Sequence, residues 1–129
     1  MFEALKIGDS AKQAQRFVPV HPNPAIGDKH GVALFLHGKH SEVYRNAISD
    51  ILRRAKDSER TPEQAIEESV ELIVTCCTDY EGATGSKSKG FDREELRKTL
   101  LQDDYRWLRL ACERFMQQDE NYFPKPSKN

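Results

Sequence analysis

After residue 40 the chain carries three helix-start signals, and each is followed by apolar residues three and four apart. This commits most of its length to amphipathic helices that must bury one face. Ser41 reads as an N-cap, with Val43, Tyr44, Ala47, Ile48, Ile51, Leu52 and Ala55 forming the stripe behind it. Thr61-Pro62-Glu63-Gln64 is the strongest start. Thr caps, Pro at the first helical position gives up no needed N–H, and Gln three residues after the cap reaches back. Ile66, Val70, Ile73, Val74 and Cys77 then share a side, and the pattern predicts a helix running to about Tyr80. Asp92-Arg93-Glu94-Glu95 repeats the capping-box logic and opens a shorter helix with Leu96, Leu100 and Leu101 inward. Gln102-Asp103-Asp104 supplies the next break, and a last helix turns Trp107, Leu108, Ala111, Cys112, Phe115 and Met116 inward. That helix ends before Asn121-Tyr122-Phe123-Pro124, because the residue before a proline is steered out of the helical region.

Upstream the signal changes to strands. Phe17-Val18-Pro19-Val20 and Gly31-Val32-Ala33-Leu34-Phe35-Leu36 flank a turn-rich segment from Pro22 to Asp28, which predicts two short strands joined by a loop. Pro19 donates no ladder hydrogen bond, so the first strand belongs at an edge. An isolated hairpin is marginal, and helices must cover one of its faces. The expected architecture is mainly α (α+β), a four-helix domain with a small N-terminal β-hairpin. Residues 1–123 form one domain and 124–129 a flexible C-terminal tail. Glu81 to Gly90 has no apolar periodicity and reads as a flexible loop.

Charge and cysteine usage narrow the function classes. Twenty Lys and Arg against twenty-one Asp and Glu leave a net charge of −1, so no overall basic field gathers phosphate and nucleic acid is not the expected partner. Cys76, Cys77 and Cys112 are an odd number, which fits a reducing cytoplasm. A charged leader before an apolar run and a span of about eighteen apolar residues are both missing, so no membrane partner is expected.

Catalytic and metal constellations are thin. His21, His30, His37 and His40 lie upstream while the cysteines fall on expected helix interiors, which is not zinc-ligand spacing; no metal or cofactor is expected. A nucleophile elbow and a phosphate loop are absent from the sequence, and catalytic residues are not expected either. His37-Gly38-Lys39-His40-Ser41 could hold an anion at a helix start, but the same residues suit a plain capped turn. Aromatic area gathers late in the chain. Trp107 and Phe115 read as core, whereas for Tyr122 and Phe123, beside a proline, core and interface stay equally open.

The order of these features carries a resemblance. An apolar helix leads into Asp79-Tyr80-Glu81-Gly82, a polar loop, Phe91 with the capping Asp92, a Leu pair, an aromatic-bearing helix, and Asn121-Tyr122-Phe123. This order resembles the tail assembly chaperones of long-tailed, lambda-like bacteriophages over roughly residues 32 to 123. Gly38-Lys39-His40-Ser41 followed by Val43-Tyr44-Arg45 is similar to a segment of the same proteins. Two departures stand out: Tyr80 occupies a usual Trp position, and Tyr122 separates the Asn from the closing Phe. The resemblance implies a non-catalytic late protein of the infected host's cytoplasm, absent from the mature virion. It implies binding of the tape measure protein to keep it soluble, recruitment of the major tail protein, and a homo-oligomer arranged as a ring or spiral. It nominates Tyr80, Gly82, Phe91, Trp107, Tyr122 and Phe123 as anchors or partner-binding residues. In such families a frameshifted longer form is common.

Two other classes remain open at this point. One is a small DNA-binding phage or host regulator using the basic side of the helix from Ser41 to Arg60. The other is a hydrolase using Cys112 or Cys77 with a histidine, which requires one strongly thiol-reactive cysteine.

Overall fold

The computed structural model describes residues 1–55, 59–82 and 91–123. Over these it is mainly α with a small antiparallel sheet. The strands are β1 (Gln15–Phe17), β2 (Ala33–Leu36) and β3 (Cys77–Glu81), and the helices are α1 (Glu42–Arg54), α2 (Pro62–Cys76), α3 (Arg93–Leu100) and α4 (Arg106–Gln117). Short 3-10 turns at Asp103–Tyr105 and Asp119–Asn121 bracket α4.

The start signals act as their residue types require. Ser41 Oγ accepts from the Tyr44 N–H at 3.1 Å and donates to the Gly38 carbonyl at 2.8 Å. Thr61 and Gln64 complete a reciprocal capping box at 3.2 and 2.9 Å. Such caps satisfy amide protons that the first helical turn leaves unpaired, at about 1 kcal/mol each.

The second helix is shorter than its periodicity predicts. α2 stops at Cys76, and Cys77 to Glu81 become a third strand instead of a final helical turn. Ile73-Val74-Thr75 and Thr78 are β-branched and weak helix formers, so a sheet edge can capture the chain. β2 offers that edge: Leu34 pairs with Tyr80, Phe35 with Asp79 and Leu36 with Cys77, with a register irregularity between Phe35 and Leu36. Arg93 stabilises the switch by donating to the Val74 carbonyl at 3.4 Å and the Cys77 carbonyl at 3.1 Å. A guanidinium there answers both the orphan carbonyls and the negative end of the helix dipole. Glu81, expected in the loop, closes β3; residues 83–90 of that loop and the expected tail at 124–129 lie outside the described residues.

The expected hairpin is present as β1 and β2, moved toward the N-terminus in its first strand: Gln15 pairs with Leu36 and Phe17 with Leu34. β1 is an edge strand, and Pro19 falls just outside it. One apolar core joins Leu34 and Leu36 of β2 to Val70, Ile73 and Val74 of α2, Leu96 and Leu100 of α3, and Cys112 and Met116 of α4. Three expected inward residues lie at its rim: Leu52 is 57% exposed, Leu101 42% and Ile66 36%. Leu52 sits on α1, which packs chiefly on α2, so only the Ala47 and Ile51 line of its wide stripe is buried.

Candidate binding cleft

The loop between β1 and β2 is tied down by its own side chains. Asn23 Oδ1 accepts from the Ala25 N–H at 3.0 Å, the Asn23 carbonyl accepts from Ile26 and Gly27 at 2.9 Å, and the His21 N–H donates to the Gly27 carbonyl at 2.8 Å. These are turn contacts that Asn and Gly favour. His30 joins the loop's ends. Its Nδ1 accepts from the Val32 N–H at 2.9 Å, which leaves Nε2–H to donate to the Pro19 carbonyl at 2.6 Å.

This loop forms one wall of an open cleft of about 320 Å³, whose other walls come from β3, α3 and the start of α4. Leu34, Leu96 and Leu108 supply apolar lining, and Tyr80, Tyr105 and Trp107 bring three aromatic rings. The His21 ring stands 4.8 Å from the indole of Trp107, tilted by 57°. Trp107 was expected in the core. It is instead half-buried beside it, because the turn at Asp103–Tyr105 sets α4 so that its first residues line the cleft while its later Cys112 and Met116 enter the core.

Tyr80 is held from two sides. Its ring meets Phe91 edge-on at 5.1 Å, and Arg93 lies 5.0 Å from the Phe91 ring centre. Its hydroxyl accepts from the Asp92 N–H at 3.2 Å and lies 3.5 Å from Glu95 Oε2. Loss of hydration raises the phenol above its ordinary pKa, so it remains a donor at neutral pH. The expected capping box at α3 is therefore half made. Asp92 Oδ1 accepts from Glu94 and Glu95 at 3.0 and 3.2 Å, but Tyr80 takes the Asp92 N–H that Glu95 was expected to cap. The Glu95 carboxylate is left lining the cleft. Sequence reasoning missed Glu95 and His21 as cleft residues because each also fits a local role, one in a helix cap and one in a turn.

Gly82 follows β3 with φ +78° and runs so close to Gly31 that a Cβ on it would lie 1.6 Å from the Gly31 carbonyl oxygen. Only glycine fits a left-handed backbone at that approach.

Tyr122 and Phe123 lie apart from the cleft. Tyr122 is 3% exposed, donates to the Leu36 carbonyl at 2.9 Å and meets Phe115 edge-on at 5.5 Å. Phe115 stacks on Phe17 of β1 at 4.4 Å. Gly38 makes the room: a Cβ there would stand 2.6 Å from the Tyr122 ring. Phe123 is half-buried and meets His40 edge-on at 5.6 Å, and His40 Nε2 donates to Asp119 at 2.9 Å. The six nominated residues thus divide into Tyr80, Gly82, Phe91 and Trp107 around the cleft and Tyr122 and Phe123 at a second, closed cluster.

The thiols are sealed. Burial pushes Cys76 up to about 12 and Cys77 up to about 11, and burial raises Cys112 as well. Their environments favour the inert thiol over the nucleophilic thiolate. Ser41, the capping residue of the candidate anion turn, is fully buried with its hydroxyl engaged by backbone on both sides. Among the described residues no group of three or more His, Cys, Asp or Glu is arranged to hold a metal ion, and no helix is long and apolar enough to cross a membrane. On the basic side of α1, Arg53 pairs with Asp50 at 3.2 Å, and beyond it Arg60 pairs with Glu68 at 3.5 Å. Compared with protein-family models, curated proteins and solved structures, the chain matches none.

Proposed function

We propose that this protein is a non-catalytic assembly chaperone that binds an apolar helical segment of a partner, in the manner of a phage tail assembly chaperone acting on a tape measure protein. The observation that carries the reading is the open cleft. It is apolar, walled by rings, and includes Tyr80 and Trp107, two of the residues nominated by the resemblance. An apolar cleft of this kind suits the side chains that an amphipathic helix presents at spacings of three and four. The sealed thiols support a binding role over the cysteine-hydrolase alternative. Phe2 and Leu5, exposed near the N-terminus, offer further apolar surface for contacts between copies or with the major tail protein.

The test is retention of a tape measure fragment by immobilised protein, together with sedimentation at rising concentration. Binding that is weakened by Trp107→Ala, with multiple copies assembling, is the expected result. A protein that stays monomeric and retains no fragment defeats the proposal.

A further inference from the structure

The lining of the cleft has a particular chemistry. Its rings are those of Tyr80, Tyr105 and Trp107, and among the described residues that line it Glu95 is the one carboxylate, with no Lys or Arg beside it. The two histidines are engaged by the loop itself: His21 Nδ1 accepts from the Asn23 N–H at 3.0 Å and His30 Nδ1 from the Val32 N–H at 2.9 Å. Glu95 is free for the cleft because Tyr80 has displaced it from the α3 cap. Glu95 stands exposed at the cleft, where an incoming cation can reach its carboxylate, and aromatic faces add attraction for a cation.

We propose that the cleft takes a cation carried on an apolar stem, specifically the arginine or lysine side chain of a bound segment, with the stem against Leu34 and Leu108 and the charged head toward Glu95 and the rings. A cleft of about 320 Å³ has room for such a side chain. The identity of the carrier as a helical client rests on the function proposed above; the cation preference does not.

The chain contains a single tryptophan, Trp107, so its fluorescence reports directly on cleft occupancy. The full chain is titrated with butylguanidinium and with butylurea, which has nearly the same shape but no charge. Butylguanidinium is expected to bind roughly tenfold more tightly, the size of a cation–ring plus carboxylate contribution. Glu95→Gln is expected to erase most of that preference while leaving thermal stability unchanged, since Gln still accepts from Tyr80. Equal affinity for the two probes in the wild-type chain, or a preference that survives Glu95→Gln, overturns the proposal. A second pair of probes, a tryptophan-free amphipathic peptide with one central arginine and its citrulline counterpart, tests the carrier. If neither peptide binds while butylguanidinium is preferred, the helical-client reading fails and the cation site stands.

Discussion

The chain builds two aromatic clusters from similar residues and leaves one closed and the other open. At the first, Tyr122 is buried against Phe115, its hydroxyl is spent on the Leu36 carbonyl, and Gly38 is cut away to admit its ring. At the second, Trp107 and Tyr80 keep part of their surface free on a cleft that the Glu95 carboxylate also lines. An aromatic ring contributes most to stability where nothing can reach it and most to recognition where something can. The two clusters offer both environments within one small fold.

The largest expected effect follows from that contrast. Tyr122→Ala removes a sealed ring and leaves a cavity, at a cost of about 3–5 kcal/mol. Trp107→Ala removes a larger but partly solvated ring and costs less, roughly 2–3 kcal/mol, because water replaces part of what is lost. Urea unfolding of the two variants measures the difference. Equal losses would erase the distinction between a structural cluster and a binding one.

Gly82→Ala comes next and probes the border of the cleft. A left-handed backbone costs an L-residue roughly 1–2 kcal/mol, and overlap with the Gly31 carbonyl adds about 1–3 kcal/mol as the strands give way. The expected outcome is a loss of roughly 2–5 kcal/mol with weakened cleft binding, since Gly31 follows His30 and precedes Val32 in the cleft wall. A variant with wild-type stability would show that β3 can leave Gly31 without consequence.

Much of this fold is legible in the sequence. Ser41, Thr61 and Asp92 announce helices through local chemistry, and their starts fall where the residues place them. The end of α2 was not legible in the same way. Cys77 and Tyr80 continue the apolar pattern, and only the free edge of β2 and the Arg93 cap, sixteen residues on from Cys77, turn that stretch into a strand. The cleft was half legible. Tyr80 and Trp107 drew notice as aromatics, but Glu95 looked fully employed in a cap. Its release depends on Tyr80 reaching the Asp92 N–H across twelve residues, a long-range contact that periodicity does not encode.

Gly38→Ala sharpens the closed cluster through coupling. Alone it should cost about 1–3 kcal/mol, because the added methyl meets a buried ring with nowhere to move. With Tyr122→Ala already in place the methyl occupies vacated space, so the double variant should be no less stable than Tyr122→Ala. Strict additivity in the double-mutant cycle would mean that Gly38 is required for some reason other than the ring.

The smallest effect lies at the surface of the closed cluster and depends on pH. Asp119 accepts from His40 at 2.9 Å and lies 3.5 Å from the Lys39 ammonium, and these partners, His40 first, hold its carboxyl below its ordinary value of 3.8. A depressed carboxylate stabilises the fold fully above its unfolded pKa, and that contribution is lost as pH falls through the lower folded value. The carboxylate is exposed, so water and salt screen it and the effect should be slight. Wild type should melt slightly above Asp119→Asn at pH 7, with the gap closing as the pH is taken below 3.8. No corresponding acid-dependent gap should follow substitution of Trp107 in the cleft, which carries no titrating group. Melting curves of the three proteins across that range measure it, and a gap for Asp119→Asn that persists unchanged in acid would mean that the Asp119 charge contributes nothing to closing the cluster.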